Sequence, residues 1–328
     1  MPHRPTRTLA VAVTASLALA LAACGDDETA STAGSDTAGA TDDATTSSAP
    51  ADAAAFPVTI DAENGEVTID KRPERIVSLS PSATEILFAI GAGDQVVAAD
   101  QFSTYPEEAP DTDLSGFDPN VEAVAGYEPD LVVVSNDAND LVASLGELGV
   151  PVLVQGAPSD VEGGYDLVAG LGQATGHVDE TAQVVSEMRA AMEEAFASAP
   201  DAEGVRVYHE LDDTFFAAAS ASFIGSIYKE MGAVNIADEA DTEGTGYPQL
   251  TEEAVVEGNP QLIVITDQVP YTADDVANRP GWGQIDAVKN DSIITVDADI
   301  ASRWGPRLPQ LVEDIAEALT RAAVPAGR

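Results

Sequence analysis

The segment EAVAGYEPDLVVVS, residues 122–135, has a counterpart 131 residues later in EAVVEGNPQLIVIT, residues 253–266. The two align without a gap, and six of the 14 positions are identical while four more are conservative. Each reads as a short helix, a turn marked by proline and a buried strand of continuous apolar residues. Because the offset has the size of a domain, the repeat predicts two similar α/β lobes. Convergence of two ordinary helix–strand units is the alternative.

Strand and helix patterns alternate on both sides of this repeat. We predict strands over 76–80, 96–99, 131–135, 152–154, 205–210, 216–219, 262–266 and 293–296. We predict further helices over 82–90, 140–148, 223–231 and 309–322. The alternation indicates mostly parallel sheets with helices on both faces.

Two further segments complete the expected architecture. Residues 179–199 hold apolar side chains at helical spacing and neither glycine nor proline before Pro200, which predicts one long rigid helix between the lobes. Asn64-Gly65 lies between two runs rich in Val, Thr and Ile, which predicts a β-hairpin ahead of the first lobe.

The first residues have the pattern of a secretory signal peptide, which we place at 1–23. Arg4 and Arg7 precede an apolar run over 9–21, which is shorter than the roughly 20 residues that a membrane span needs. The single cysteine of the chain, Cys24, follows Leu-Ala-Ala, and this sequence resembles the lipobox of bacterial lipoproteins. We therefore expect Cys24 to carry a lipid that anchors the protein on the extracytoplasmic face of the cell membrane. Ordinary cleavage near Ala23 is the alternative.

The next segment differs sharply in composition from the rest of the chain. Residues 25–54 contain only Ala, Gly, Ser, Thr, Pro, Asp and Glu, so nothing there offsets the entropy cost of ordering. We expect an acidic, disordered linker. The resulting organisation is a signal peptide at 1–23, a lipid-anchored linker at 24–54, an N-terminal lobe at 55–177, a connecting helix at 178–200 and a C-terminal lobe at 201–328.

Charge and composition exclude several classes of function. Acidic residues number 57 against 14 Lys and Arg, for a net charge of −43, which disfavours nucleic acid as a partner. One cysteine and three scattered histidines offer neither an internal disulfide nor the spacing of a metal site. No GxSxG or GxxxxGK[ST] occurs, and SxxK at 226–229 lacks its partner motifs. We expect neither an enzyme nor a bound metal or cofactor. The acidity is compatible with salt adaptation or with simple solubility.

Several longer motifs occur in a fixed order. They are RPERIVSLSPSATEILFAIG (72–91), FSTYPEEA (102–109), EPDLVVVS (128–135), YPQLTEEAVVEGNPQLIVIT (247–266) and RWGPRLPQLVEDIAEAL (303–319). In order and spacing they resemble the Fe/B12 periplasmic-binding family, over about residues 57–322. The resemblance implies a class III solute-binding lipoprotein of an ABC importer, which binds cobalamin, a ferric siderophore or haem between its lobes. It further implies a monomer that delivers this ligand to a permease dimer with its ATPase.

The same resemblance implies roles for individual residues. Glu122 and Glu253 match paired glutamates that dock on the permease, although each is also an ordinary acidic residue in a first helical turn. The residues expected at the ligand are Tyr105, Phe117, Phe216, Tyr247, Asp299, Arg303 and Trp304. Ordinary core packing is the alternative for the aromatic ones. Gly116 departs from the cobalamin binders, which have a tryptophan there, so Phe117 would supply that wall.

The scarcity of basic residues bears on the ligand. Of the few arginines, only Arg303 and Arg307 fall near the expected cleft, whereas an anionic ferric siderophore favours several. Cobalamin, which is bulky and nearly neutral, fits better. Haem would need an iron ligand such as Tyr105 or Tyr247. An envelope lipoprotein that senses its ligand is the alternative from another class.

Overall fold

In the computed structural model of the protein, residues 56–198 and 202–323 are described. The strands are β1 Val58–Ala62, β2 Gly65–Ile69, β3 Ile76–Leu79, β4 Val96–Ala99, β5 Leu131–Val134, β6 Val152–Val154, β7 Arg206–His209, β8 Val234–Asn235, β9 Leu262–Thr266 and β10 Ile293–Val296. The helices are α1 Pro81–Ala89, α2 Val121–Ala125, α3 Leu141–Glu147, α4 Val161–Thr175, α5 Val178–Ser198, α6 Phe223–Glu230, α7 Glu252–Gly258, α8 Ala273–Ala277, α9 Asp286–Lys289, α10 Ala298–Ala301 and α11 Leu308–Ala323.

Two parallel four-stranded sheets form the two lobes. Their strand orders are β4-β3-β5-β6 and β10-β9-β7-β8. If β3 to β6 and β7 to β10 are each numbered 1 to 4, both sheets have the order 2-1-3-4, the second read from β8. The strands β5 and β9 are therefore each the third of their lobe and hold equivalent positions. The helices before them are also capped alike, since Asn120 and Thr251 each accept a hydrogen bond from the backbone N–H three residues on. The two similar α/β lobes predicted from the repeat are confirmed.

The lobes share one hydrophobic core. A single cluster of buried side chains runs from Ile76 and Leu131 of the first sheet, through Met188 and Met192 of α5, to Leu262 of the second sheet. The helix α5 packs along both α4 and α11. A continuous core around one uninterrupted helix favours a rigid connection between the lobes.

The antiparallel hairpin β1–β2 covers an edge of the first sheet. Asn64, in its turn, donates from Nδ2 to the carbonyl of Val152 at 3.0 Å and accepts from the N–H of Val154 at 3.1 Å. The side-chain amide thereby takes the place of a neighbouring strand along β6. This protects an edge that would otherwise expose unpaired backbone groups.

Several elements differ from the sequence-based expectations, since the short β8, α8, α9 and α10 were not predicted. The predicted strand at 216–219 is wrong: only isolated bridges form there, Glu210 with Ala217 and Phe216 with Gln249. Phe215, immediately before this segment, adopts a left-handed backbone conformation with φ +69°. The helix α4 was not predicted because its glycines lower helix propensity. One of them, Gly172, is needed for packing, since a Cβ there would lie 2.1 Å from Thr181 Oγ1 of α5.

Several predictions fall outside the described residues. These are the signal peptide, the lipid-anchored linker and Cys24 itself. Among the helices that are described, none is long and apolar enough to cross a membrane. The boundaries proposed for the two lobes stay a prediction.

Candidate ligand-binding cleft

A cleft of about 530 Å³ lies where residues from both lobes meet. Its lining residues are Ser80, Pro81, Ser82, Phe102, Thr104, Phe117, Ser135, Gln268, Asp299, Ser302, Arg303 and Trp304. Most of them follow the carboxyl ends of parallel strands, as Ser80 does for β3 and Ser135 for β5. This edge of a parallel sheet is where α/β proteins bind ligands. Of the seven predicted ligand residues, four line this cleft: Phe117, Asp299, Arg303 and Trp304.

Two phenylalanines form the wall on the first lobe. Phe102 and Phe117 meet edge to face, with ring centroids 5.5 Å apart, and both rings are largely exposed. Gly116 allows no side chain, because a Cβ there would lie 2.3 Å from the carbonyl oxygen of Leu79. The neighbouring Phe117 supplies aromatic surface at this point of the wall.

The polar floor of the cleft is built around α10 in the second lobe. Arg303 Nη2 forms an ion pair with Asp299 Oδ1 at 2.8 Å and donates to the carbonyl of Phe102, across the cleft, at 2.9 Å. Thr104 of the first lobe donates to Asp299 Oδ2 at 3.2 Å. The Arg303 side chain is only 7% exposed, and its Nη1 has no hydrogen-bond partner within the described residues. A buried donor without an acceptor is costly. Because Nη1 is closed to solvent in this structure, an acceptor on a ligand in the cleft would reach it only after a shift of the Arg303 side chain.

Charge in the cleft is balanced. Among its described lining residues Arg303 is the sole cation, and it is paired with the sole carboxylate, Asp299. The nearby Arg307 is paired as well, with Glu85 at 2.7 Å. No group of three or more His, Cys, Asp or Glu side chains in the described parts of the chain has the arrangement of a metal site. The cleft therefore presents hydrogen-bonding groups without net charge.

Tyr105 lies outside the cleft. It lines a separate cavity of about 460 Å³, where the guanidinium of Arg307 stacks 4.0 Å from the centre of its ring. Its sequence neighbour Thr104 lines the cleft, so the backbone at these two residues lies between the two cavities.

Phe216 and Tyr247 lie on adjacent segments of the second lobe. Phe216 forms a bridge with Gln249, and the N–H of Ala217 donates to the carbonyl of Pro248. Both aromatic rings are exposed, but neither lines the 530 Å³ cavity. Partial burial raises the pKa of the Tyr247 hydroxyl above its usual value. A ligand in the cleft would reach these rings only by extending beyond that cavity.

Some cleft residues were missed from the sequence. Phe102 and several small polar side chains, including Ser80, Ser135 and Gln268, line the site without having been singled out. A signal was available, because Phe102 begins the FSTYPEEA motif and Ser135 ends the first copy of the repeat.

The two predicted docking residues occupy equivalent places. Glu122 and Glu253 are each the second residue of their helix, α2 and α7, and both side chains are exposed. They lie on different lobes in corresponding positions of the repeated unit. An acidic residue in a first turn also favours its own helix through the helix dipole.

Two α/β lobes of like topology, tied by a long helix around a ligand-sized cleft, define a two-lobed solute-binding protein. The profile of the family described as "Periplasmic binding protein" matches residues 76–300. The chain belongs to this family, whose members are solute-binding proteins and not enzymes.

Comparison with individual proteins supports this assignment. An ABC transporter substrate-binding lipoprotein of Bacillus subtilis, YvrC, is 34% identical over 259 residues, which cover 76% of this chain and 81% of the relative. A cobalamin-binding protein of Halobacterium salinarum is 33% identical over 263 residues, covering 77% and 71%. The crystal structure of the periplasmic vitamin B12 binding protein BtuF of Vibrio cholerae superimposes with a TM-score of 0.64 at 25% identity, covering 76% of this chain and 98% of that one.

Proposed function

We propose that the protein captures cobalamin or a related corrinoid in the cleft between its lobes and delivers it to the permease of an ABC importer. It would act on the extracytoplasmic face of the membrane, held there by a lipid on Cys24. The relatives from Halobacterium salinarum and Vibrio cholerae support the ligand, and the substrate-binding lipoprotein of Bacillus subtilis supports the importer and the lipid anchor.

The observation that carries the proposal is the pairing of an exposed aromatic wall with a charge-balanced polar floor. A corrin is a broad macrocycle whose edge bears amide groups, so it needs apolar surface and a few well-placed hydrogen-bond donors. Phe102 and Phe117 provide the surface, and Arg303 provides an unpaired donor at Nη1. Nη1 is closed to solvent without ligand, so a shift of the Arg303 side chain on binding would bring it to an amide carbonyl of the ligand, which would satisfy that donor without bringing in charge.

The same charge balance weighs against anionic ligands. A ferric siderophore with net negative charge, or haem with its two propionates, gains most from unpaired cations. Arg303 and Arg307 are already neutralised by Asp299 and Glu85. The strong negative charge of the whole protein adds long-range repulsion.

Haem is the second candidate, because the exposed Tyr247 could face an iron atom in a larger ligand. Haem iron takes tyrosine as a phenolate. Haem ranks below cobalamin because its two propionates would need unpaired cations, whereas Arg303 and Arg307 are paired with Asp299 and Glu85. The ferric siderophores are the remaining ligand class.

For the permease, we propose that Glu122 and Glu253 form matching contacts, one from each lobe. A permease dimer with two-fold symmetry presents two equivalent sites, and the repeated unit places one exposed glutamate on each lobe. The protein would then dock as a monomer.

Calorimetric titration with cyanocobalamin, haemin and a ferric hydroxamate tests the ligand. We expect one-to-one binding of cyanocobalamin, tighter than micromolar and insensitive to salt. The variant R303M should bind it at least tenfold more weakly, because the ligand loses a buried donor. Binding of haemin or the hydroxamate without cyanocobalamin would transfer the proposal to that ligand. No binding of any of the three would overturn cobalamin and both alternative ligands, and would favour ligand sensing or another solute.

A further inference from the structure

Asp100 is a buried carboxylate directly behind the aromatic wall. It follows the last residue of β4 and is 3% exposed, and no ion pair with it forms among the described residues. Ser103 Oγ donates to Asp100 Oδ1 at 2.6 Å. A buried carboxylate without a paired cation is costly, so it is expected to have a specific task.

A chain of hydroxyl groups ties this carboxylate to the framework of the first lobe. Ser103 Oγ lies 2.9 Å from Thr84 Oγ1 in α1, and Thr84 Oγ1 lies 2.8 Å from Ser78 Oγ in β3. All of these side chains are buried. The network fixes the position of the Asp100 carboxylate relative to a helix and a strand that are themselves well packed.

The carboxylate also joins the two loops that present the aromatic wall. Residue 100 forms a bridge with Leu114, and the N–H of Gln101 donates to the carbonyl of Leu114. Gly116 packs so close that a Cβ there would lie 3.3 Å from Asp100 Oδ2. Burial raises the pKa of Asp100, and the charge of the neighbouring Arg303 is among the causes that oppose that shift. Ser103, which donates to Asp100, belongs to the first loop, and Gly116, which packs against its other oxygen, belongs to the second, so the carboxylate contacts both.

The backbone of the wall has other anchors, since Arg303 donates to the carbonyl of Phe102 and Ser115 Oγ accepts from the N–H of Phe117, but the two rings are exposed. Phe117 is 75% exposed and Phe102 is 45% exposed, and their rings contact each other. Exposed side chains on loops are mobile unless their backbone is fixed, and ordering them on binding costs affinity.

We propose that Asp100 is a positioning residue for the ligand, which fixes Phe102 and Phe117 by joining their two loops through its buried carboxylate. This role in ligand binding rests on the proposed function of the cleft, whereas the effect on loop order does not. The carboxylate does not touch the ligand; it acts through the backbone of the two loops.

The test compares the full-length protein with its variants D100N and S103A. The asparagine keeps the shape of the side chain but replaces one acceptor oxygen with a donor, so it cannot accept from both loops. S103A keeps the carboxylate and removes the hydroxyl that orients it. As a control for general loss of stability, V152A truncates a buried side chain in the same sheet, away from the wall.

Hydrogen exchange without ligand is the first readout. We expect D100N to lose at least tenfold protection at the amides of 101–104 and 114–118, with the amides of β5 unchanged, and S103A to show a smaller loss at the same amides. V152A should change neither loop selectively. Unchanged protection of both loops in D100N would overturn the proposal, whether or not the protein binds cobalamin.

Cyanocobalamin affinity is the second readout. We expect D100N and F117A each to weaken binding about tenfold, and the double variant to lose much less than the hundredfold that independent effects would give. Full additivity, or an affinity loss in V152A equal to that in D100N, would show that Asp100 does not act through the wall. If the wild type does not bind cyanocobalamin, the proposed function is contradicted. The role of Asp100 in ordering the two loops is then decided by the hydrogen exchange measured without ligand.

Discussion

Glu85 of α1 and Arg307, which precedes α11, form an ion pair that joins the two lobes. Arg307 Nη2 lies 2.7 Å from Glu85 Oε2, and its Nε lies 3.1 Å from both carboxylate oxygens. The side chains are only 2% and 16% exposed. Together with the shared core around α5, this pair resists separation of the lobes. It also neutralises a cation beside the cleft, and so contributes to the charge balance on which the choice of ligand depends.

Removal of Arg307 should destabilise the protein strongly. R307M leaves the Glu85 carboxylate buried without a partner, so we expect a loss of about 3–5 kcal/mol in the free energy of unfolding, measured in urea. The matched control is R321M, which breaks the pair of Arg321 with Glu317, two largely exposed side chains. That change should cost less than about 1 kcal/mol. Similar losses in the two variants would contradict the role given to Glu85 and Arg307.

Gly116 should not tolerate any side chain. A Cβ there would meet the carbonyl oxygen of Leu79 at 2.3 Å, so G116A must shift the backbone that carries Phe117. We expect a loss of about 1–3 kcal/mol in stability and weaker cyanocobalamin binding. G146A is the control, because Gly146 of α3 has no atom within 4 Å of the added carbon, and alanine favours a helix. A G116A variant as stable as G146A would show that the close approach is not restrictive.

Reversal of charge at both docking positions should uncouple binding from transport. We expect E122K/E253K to abolish cobalamin uptake by cells while the affinity for the ligand stays unchanged, since both glutamates are exposed. The control E147K/E313K makes the same change of net charge at exposed positions of α3 and α11, away from both docking residues along the chain. Normal cobalamin uptake with E122K/E253K, or an equal loss of uptake with the control variant, would contradict the assignment of Glu122 and Glu253 as docking residues.

His209 should make the protein less stable in mild acid. It is buried at the end of β7, where its Nδ1 lies 2.8 Å from the hydroxyl of Tyr228, and burial lowers its pKa from 6.5 to about 4. Because the unfolded chain takes up this proton at a higher pH than the folded protein, stability is retained above pH 6.5 and lost as the pH falls toward 4.

Between pH 7 and pH 5 this residue should cost roughly 2 kcal/mol. The variant H209Q keeps a hydrogen-bonding side chain without a titrating ring. Between pH 7 and pH 5, the free energy of unfolding of H209Q should therefore fall by roughly 2 kcal/mol less than that of the wild type. Urea melts at the two pH values measure both. Identical pH dependence of H209Q and the wild type would refute a neutral, buried His209.

The fold could be predicted well because its signals are local and repeated. The boundaries of β4, β6, β9 and β10 were predicted to the exact residue from their apolar runs. Those of α5 were predicted within one residue from its uninterrupted helical pattern. The strand expected at 216–219 failed because this segment forms only isolated bridges, and its apolar residues do not reveal which partners it pairs with. The glycines of α4 concealed a helix because they lower helix propensity, and at one of them, Gly172, the close approach of Thr181 leaves no room for a side chain.

The cleft could be predicted only in part. Asp299, Arg303 and Trp304 line it as expected, because they follow the end of β10, and Phe117 lines it as the neighbour of Gly116, where the resemblance places an aromatic residue. The place of Tyr105, against Arg307 in a separate cavity, depends on a contact between segments about 200 residues apart. The spacing of residues in the sequence does not reveal a contact between such distant segments, so it could not predict which of the two cavities Tyr105 lines.

The most direct test of the central claim is a crystal structure of the protein with cyanocobalamin. We predict the corrin in the cleft between the lobes, against the ring of Phe117, with an amide oxygen within hydrogen-bonding distance of Arg303 Nη1. The Glu85–Arg307 pair should be intact. A corrin bound elsewhere, for example in the cavity of Tyr105, or a cleft in which Arg303 Nη1 remains without a partner, would contradict the account.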